Sequence, residues 1–145
     1  MTFKVIGDGG RKQKLIQRLQ EKGCKNVIVS PPVERDALMS EYAKADVLFL
    51  HLNDYEAFKK VLPSKLFEYG ATGKPIWAGV GGYAAEFVSK ELSNAVVFNP
   101  GNVVEAMRVF DTLTLESIER TAFIEKYQRK NIMRSMVKDI CELLA

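Results

Sequence analysis

Apolar residues along this chain follow two rhythms. Short runs at Phe3–Ile6, Val27–Val29, Asp46–Leu52, Pro75–Val80 and Ala95–Phe98 have the length and the β-branched and aromatic content of strands. Turn-forming residues close them: Gly7-Asp8-Gly9-Gly10, Ser30-Pro31-Pro32 and Asn99-Pro100-Gly101. Between the runs, apolar positions recur every three or four residues, the spacing of one helix face. Lys12–Lys22 carries Leu15, Ile16 and Leu19 on one side, with Gly23 just past its end. Glu34–Ala45 carries Leu38, Tyr42 and Ala45. Tyr83–Leu92 and Val103–Leu113 read as further helices, and Leu115–Leu144 as one long helix or two joined ones. The run from Asp46 to Leu52 is continuous enough to predict a strand buried on both faces. This alternation predicts one α/β domain: a parallel sheet of about five strands, helices on both faces, right-handed crossovers. Ligands bind such sheets at the carboxyl ends of the strands. The loops to read are therefore Gly7–Gly10, Ser30–Val33, Asn53–Ser64, Gly79–Gly82 and Asn99–Asn102.

Composition narrows the picture without changing it. At 145 residues, with 47% hydrophobic and 27% charged residues, the chain suits one globular domain. A net charge of +3, with no basic stripe interleaved with aromatics, argues against a nucleic-acid partner. His51 is the only histidine, which excludes a multi-histidine metal site. Cys24 and Cys141 lack metal or redox spacing and read as reduced packing residues. The start MTFKV has no charged region leading into a long apolar core, and no apolar run approaches the ~20 residues that a membrane span needs. A cytoplasmic protein is expected, one that can still rest on a membrane surface.

One stretch asks for more than structure. VLPSKLFEYGATGKP, from Val61 to Pro75, opens a short amphipathic helix with Pro63-Ser64-Lys65 and places Glu68 one turn on. Pro63 suits a first helical turn, where its missing N–H is not needed. The N–H groups of Ser64, Lys65 and Leu66 would then lack helical carbonyl partners and face the carboxyl end of the sheet, where an anion can be held. Glu68 near a phosphate makes sense if it accepts hydrogen bonds from sugar hydroxyls. Diphosphate at the helix end and ribose on Glu68 together describe a nucleotide. The alternative is a surface ion pair between Lys65 and Glu68, worth under ~1 kcal/mol.

The stretch ADVLFLHLNDYEAFKKVLPSKLFEYGATGKPIWAGVGGYAAEFV, from Ala45 to Val88, resembles the carboxyl-terminal, donor-binding half of retaining GT-B glycosyltransferases of group 1 (GT4 type). It is similar in particular to the subgroup with a Pro-Ser-Lys-x-x-Glu-Tyr signature, which includes O-antigen, lipopolysaccharide and capsule polysaccharide enzymes such as fucosamine transferase-like ones. FKVIGDGG and VIVSPPVERDALMSEYAKAD resemble the flanking strand, glycine turn and base-binding loop, and FIEKYQRKNIMRSMVKDICELL the closing helix. The resemblance implies a Rossmann-like fold and donor-binding roles. Glu68 matches the second Glu of an E-x7-E motif, on the ribose. The backbone of Ser64 and Lys65 matches the diphosphate contact. Pro32 and Val33 match the loop that meets the base. Gly9 and Gly10 match a turn lining the cleft, and Gly81 and Gly82 let backbone come close to a ligand or helix. Lys60 stands where the first Glu would be, as a donor contact or a solvated lysine.

The resemblance further implies that residues 1–145 are the donor domain alone. The first strand, its diphosphate-clamping Arg and Lys, and the amino-terminal acceptor domain would lie outside it. The five strands would close in the order 2-1-3-4-5, or a neighbouring chain could fill the gap as a strand-swapped dimer. The whole enzyme is expected to transfer a hexosyl or N-acetylhexosaminyl group, with retention, from a UDP-linked sugar to a lipid-linked saccharide at the inner membrane face. It would need no metal or other cofactor, and this piece alone should not turn over.

Other positions have plainer readings. His51, ending the third strand, is a donor-sugar contact or a polar strand end; Asn53 and Asp54 could line the same cleft. Trp77 reads as core and Tyr83 as a helix-start packing residue. The last helix is basic at Lys126, Arg129, Lys130, Arg134 and Lys138, but Glu125, Asp139 and Glu142 dilute the charge, and a solvated face is expected. Two rival functions fit five strands: a signalling receiver using Asp8 and Asp54, and a flavin or other mononucleotide binder. The receiver needs paired acids after the first strand and a Lys after the fifth; Gly-Asp-Gly and Asn99-Pro100-Gly101 stand there instead.

Overall fold

The computed structural model describes Met1–Leu144 and divides into two compact units, Met1–Glu41 and the residues from Tyr42 onward. In the first unit, β1 (Phe3–Ile6) and β2 (Val27–Ser30) pair in parallel, Phe3 opposite Val27 and Ile6 opposite Ser30, joined by α1 (Lys12–Glu21). Gly23, at φ +62°, ends α1 in the left-handed conformation: its N–H donates to the Gln20 carbonyl and that of Cys24 to Leu19. No side chain of this unit is buried, and Val5 and Ile28 are exposed although they lie in strands. Helix α2 (Arg35–Lys44) begins here and ends in the second unit.

The second unit holds the core. Strands β3 (Leu48–His51), β4 (Ile76–Gly79) and β5 (Ala95–Phe98) form a parallel sheet in that order. Its rows run Leu48–Ile76–Ala95 at the amino end and His51–Gly79–Phe98 at the carboxyl end. All four residues of β4 are buried, whereas β3 alternates, Leu48 and Leu50 in, Phe49 and His51 out. The central strand buried on both faces is therefore β4; β3 is an edge. On one face Trp77 packs against Phe49, Phe98 and Phe110, and its Nε1–H donates to the Ala106 carbonyl of α5 (Val103–Phe110) at 3.1 Å. A second aromatic cluster, Phe67, Phe87, Phe123 and Tyr127, ties α3 (Ser64–Thr72), α4 (Tyr83–Glu91) and α6 (Thr121–Tyr127). The final stretch is two helices, not one. Extended backbone at Gln128 separates α6 from α7 (Arg129–Leu143).

The α/β class with parallel strands is as the sequence indicates, and it is the architecture of a Rossmann-like domain. The single closed sheet is not: the five strands form one sheet of two and one of three. Lys4 supplies a physical reason. In the order 2-1-3-4-5, β1 would be central and covered on both faces. Its Lys4 is instead half exposed and ion-paired with Glu41.

The amino end of the second unit is sealed by Glu116–Phe123. Asn94 donates to the Glu116 carbonyl, and Ile118 N–H to the Gly73 carbonyl at 2.9 Å. Arg120, almost fully buried, donates to the carbonyls of Gly70, Lys74 and Asn94 at 3.2–3.3 Å. The Phe123 ring fills the space over Gly70 that a side chain there would occupy.

Candidate functional site

In the second unit, three helices start from the carboxyl edge of the sheet, and their first turns differ. At α5 the Asn102 side chain accepts from Glu105 N–H at 3.0 Å, closing the free end. The Glu105 carboxylate accepts from the backbone and side-chain N–H groups of Asn99, both at 2.9 Å, which fixes the β5–α5 loop. At α3 and α4 no side chain caps the helix. Pro63 is the residue before α3, with extended backbone, so Ser64 rather than Pro63 is the first helical residue. Of the three amides expected to be free, Leu66 N–H donates to the Pro63 carbonyl at 3.0 Å. Ser64 and Lys65 are the exposed first-turn residues that remain to meet an anion.

Lys65 and Glu68 do not form the ion pair that was the alternative; among the described residues no ion pair holds either. Glu68 is half-buried and accepts a long hydrogen bond, 3.4 Å, from the Tyr42 hydroxyl. The Tyr42 ring meets Tyr69 edge-on at 5.2 Å. Burial, then the neighbouring Tyr42 and Glu68, push the Tyr69 hydroxyl up to about 12, so Tyr69 stays neutral beside the carboxylate. Lys65 therefore stands in solvent while Glu68 is held on a tyrosine.

His51 crosses the carboxyl end of the sheet. Its Nε2 accepts from the Gly101 N–H at 3.1 Å, tying the end of β3 to the loop after β5. Gly79 lies between them, and a Cβ there would fall 2.5 Å from His51 Cδ2 and 2.6 Å from the Phe98 ring. An accepting Nε2 requires a neutral ring with its proton on Nδ1. Partial burial lowers the His51 pKa in the same direction.

Gly81 and Gly82 lead into α4 against the 3-10 turn Glu56–Lys60. Gly82 has φ +59°, and a Cβ there would strike the Lys59 backbone. Lys59 is held by Glu56 at 2.6 Å and Asp54 at 3.9 Å. Lys60 is exposed and lines an open groove of about 450 Å³ with Leu62, Tyr83, Glu86 and Phe87. In the first unit, Gly9 and Gly10 form an exposed turn that starts α1, and Pro32 and Val33 an exposed loop after β2. The rival receiver's acids are engaged locally, Asp8 with Lys12 at 3.3 Å and Asp54 with Lys59.

Sequence reading missed Tyr42, read only as part of an apolar stripe, and the Asn99–Asn102–Glu105 network. The latter was visible in Asn102-x-x-Glu105, the spacing of a capping box.

The parallel α/β fold thus leaves the amino-terminal ends of α3 and α4 uncapped at the carboxyl edge of the sheet, the edge where such folds hold their ligands. The family model described as glycosyl transferases group 1 matches residues 1–130, and the chain belongs to this family. Neither a curated protein nor a solved structure matches it. Its function therefore lies in glycosyl transfer.

Proposed function

We propose that residues 1–145 are the donor-binding domain of a retaining glycosyltransferase whose donor is a nucleotide-diphosphate sugar, UDP-linked. The observation that supports this most is the amino-terminal end of α3. It carries no side-chain cap, Lys65 beside it is free of ion pairs among the described residues, and Glu68 one turn on is half-buried. In this reading the Ser64 and Lys65 amides and the Lys65 ammonium take the diphosphate, whose charge grows as the sugar departs. Glu68 accepts from the ribose hydroxyls. Pro32 and Val33 meet the base, Gly9 and Gly10 line the cleft, and His51, Lys60, Gly81 and Gly82 border the sugar. Catalysis is positioning and charge stabilisation by the chain's own amides and cations, with no metal assigned. The acceptor is a lipid-linked saccharide of surface-polysaccharide synthesis, O-antigen or capsule, presented at the membrane face by a separate acceptor domain. The transferred group is hexosyl or N-acetylhexosaminyl.

An amide-shift NMR titration with UDP, using GDP, ADP and Mg2+ as controls, tests the reading. Saturable shifts over Ser64–Glu68 and at Val33, absent in Glu68→Ala, are expected. Shifts at Asp8 and Asp54 with Mg2+ and none with UDP would overturn it.

A further inference from the structure

The row His51–Gly79–Phe98 closes the carboxyl end of the three-stranded sheet. Phe98 is apolar and Gly79 has no side chain, so His51 carries the only polar side-chain atoms of that row. Its ring is fixed from three directions. Phe49 stacks against it with ring centres 6.1 Å apart, and Phe98 meets it at 6.1 Å from across Gly79. The third contact is the bond that Nε2 accepts from the Gly101 N–H. Gly101 is itself well held, because Glu105 accepts from Asn99 on one side of it and Asn102 caps α5 on the other. The Cδ2–Nε2 edge of the imidazole therefore lies toward Gly79 and Gly101. Nδ1 is across the ring from Cδ2, on the side away from β4. With Nε2 accepting, Nδ1 carries the proton. Among the described residues nothing accepts that proton. His51 is exposed and β3 is the edge strand, so this N–H faces open space at the end of the sheet from which α3 starts.

We propose that the His51 Nδ1–H donates a hydrogen bond to an oxygen of the bound nucleotide sugar, and that the Gly101 contact at Nε2 holds the ring in the orientation and tautomer this requires. The inference rests on the donor reading and sharpens it: the end of β3 offers the ligand a neutral, directional donor instead of a cation. A diphosphate oxygen and a sugar hydroxyl can both accept such a bond. The competing role is a tether alone, in which His51 joins β3 to the loop after β5 and touches no ligand. The two roles use different nitrogens, so they can be separated. A tether needs only an acceptor facing Gly101; the ligand contact needs the proton on Nδ1 as well.

His51 is the only histidine, so the imidazole nitrogen signals of the 15N-labelled 145-residue chain report on it alone. The test reads them at a pH where the ring is neutral, without ligand, with UDP, and with UDP-glucose and UDP-N-acetylglucosamine. Without ligand the proton should sit on Nδ1; a proton on Nε2 overturns the proposal at once. A shift at Nδ1 and slower exchange of its proton with UDP itself would assign the contact to the diphosphate. The same change with the UDP-sugars only would assign it to the sugar. Shifts over Ser64–Glu68 with none at Nδ1 overturn the inference and leave the donor reading standing; silence at both sites ends both. In His51→Gln the side-chain oxygen can still accept from Gly101, but the donor at the Nδ1 position is gone. The Gly101 amide signal should stay in place while the ligand that shifts Nδ1 binds about 3- to 10-fold more weakly. Unchanged affinity in this variant, or a loss that follows the Gly101 signal, would leave His51 a tether and overturn the proposal.

Discussion

Tyr42 and His51 show how single side chains set the carboxyl edge. Glu68 was legible in the sequence because an acid one turn beyond Pro-Ser-Lys has no packing reason to be there. Its support was not, because Tyr42 is 26 residues away and reads as apolar stripe. Hydrogen bonds from ribose to a carboxylate are worth about 1.5–3 kcal/mol, so Glu68→Ala should weaken UDP binding roughly 10- to 100-fold by calorimetry. Tyr42→Phe removes the long orienting bond to Glu68 and should cost about 0.5–1 kcal/mol, a few-fold in affinity. An equal loss in both would mean that Tyr42 touches the nucleotide itself. For His51, partial burial lowers the folded-state pKa below 6.5, and accepting from Gly101 requires the neutral ring. The neutral form is then present in folded and unfolded chains above pH 6.5. As pH falls below that, the unfolded chain takes the proton first, and the stability from His51 is lost through the folded pKa. The His51 ring and the Gly101 amide should therefore titrate together by NMR, with a midpoint under 6.5. A midpoint above it, or an indifferent Gly101, would remove the tether. Gly79→Ala should break the same tether sterically and cost about 1–3 kcal/mol on urea unfolding.

At the scale of elements, strands and helices were legible because each apolar run or period ends at a residue that cannot continue it. The five runs became five parallel strands, and α1, α4 and β5 match their expected spans to within a residue. What the pattern could not give was pairing. The same run of apolar residues serves an edge or a centre, and β3 read as central although β4 holds that place. The break at Gln128 also has no Gly or Pro to announce it. Nor did the pattern reveal the clamp at Arg120, a polar residue in a stretch with no period. This arginine joins the end of α3 to the amino ends of β4 and β5, and so fixes the axis of the helix whose other end carries Ser64 and Lys65. Burial lowers its pKa, but a guanidinium stays charged. Arg120→Met keeps the stem and removes the donors. Gly70 and Asn94 carbonyls retain other donors in Gly73 and Ile76, which limits the damage. The expected loss is about 2 kcal/mol by urea unfolding, with weaker UDP binding through a tilted α3. An unchanged midpoint would show that the Phe123 packing alone holds the helix.

Stability across the whole molecule should follow where the core lies. Among the described residues all sixteen buried apolar ones fall between Tyr42 and Phe123, and Leu66, Ile76, Ala78, Ala84 and Val88 are fully buried. Met1–Glu41 has none, and its helix α1 leaves an open groove of about 520 Å³ against β2, lined by Ile16, Leu19, Val27 and Val29. Hydrophobic burial is the main favourable term in folding, and a two-stranded sheet without it is marginal in water. Amides open by local unfolding where few apolar contacts hold them, and by global unfolding where many do. The amides of β1 and β2 should therefore exchange with deuterium at least ~100-fold faster than those of β4, which is paired on both sides and buried on both faces. Donor binding that orders Gly9, Gly10, Pro32 and Val33 would slow exchange in those loops as well as in α3, because a ligand stabilises the states it contacts. Hydrogen exchange with and without UDP reads both effects at once. Equal protection of β1 and β4 without ligand would mean that the two sheets unfold as one body. Slowing confined to α3 on adding UDP would mean that the base never reaches the loop after β2.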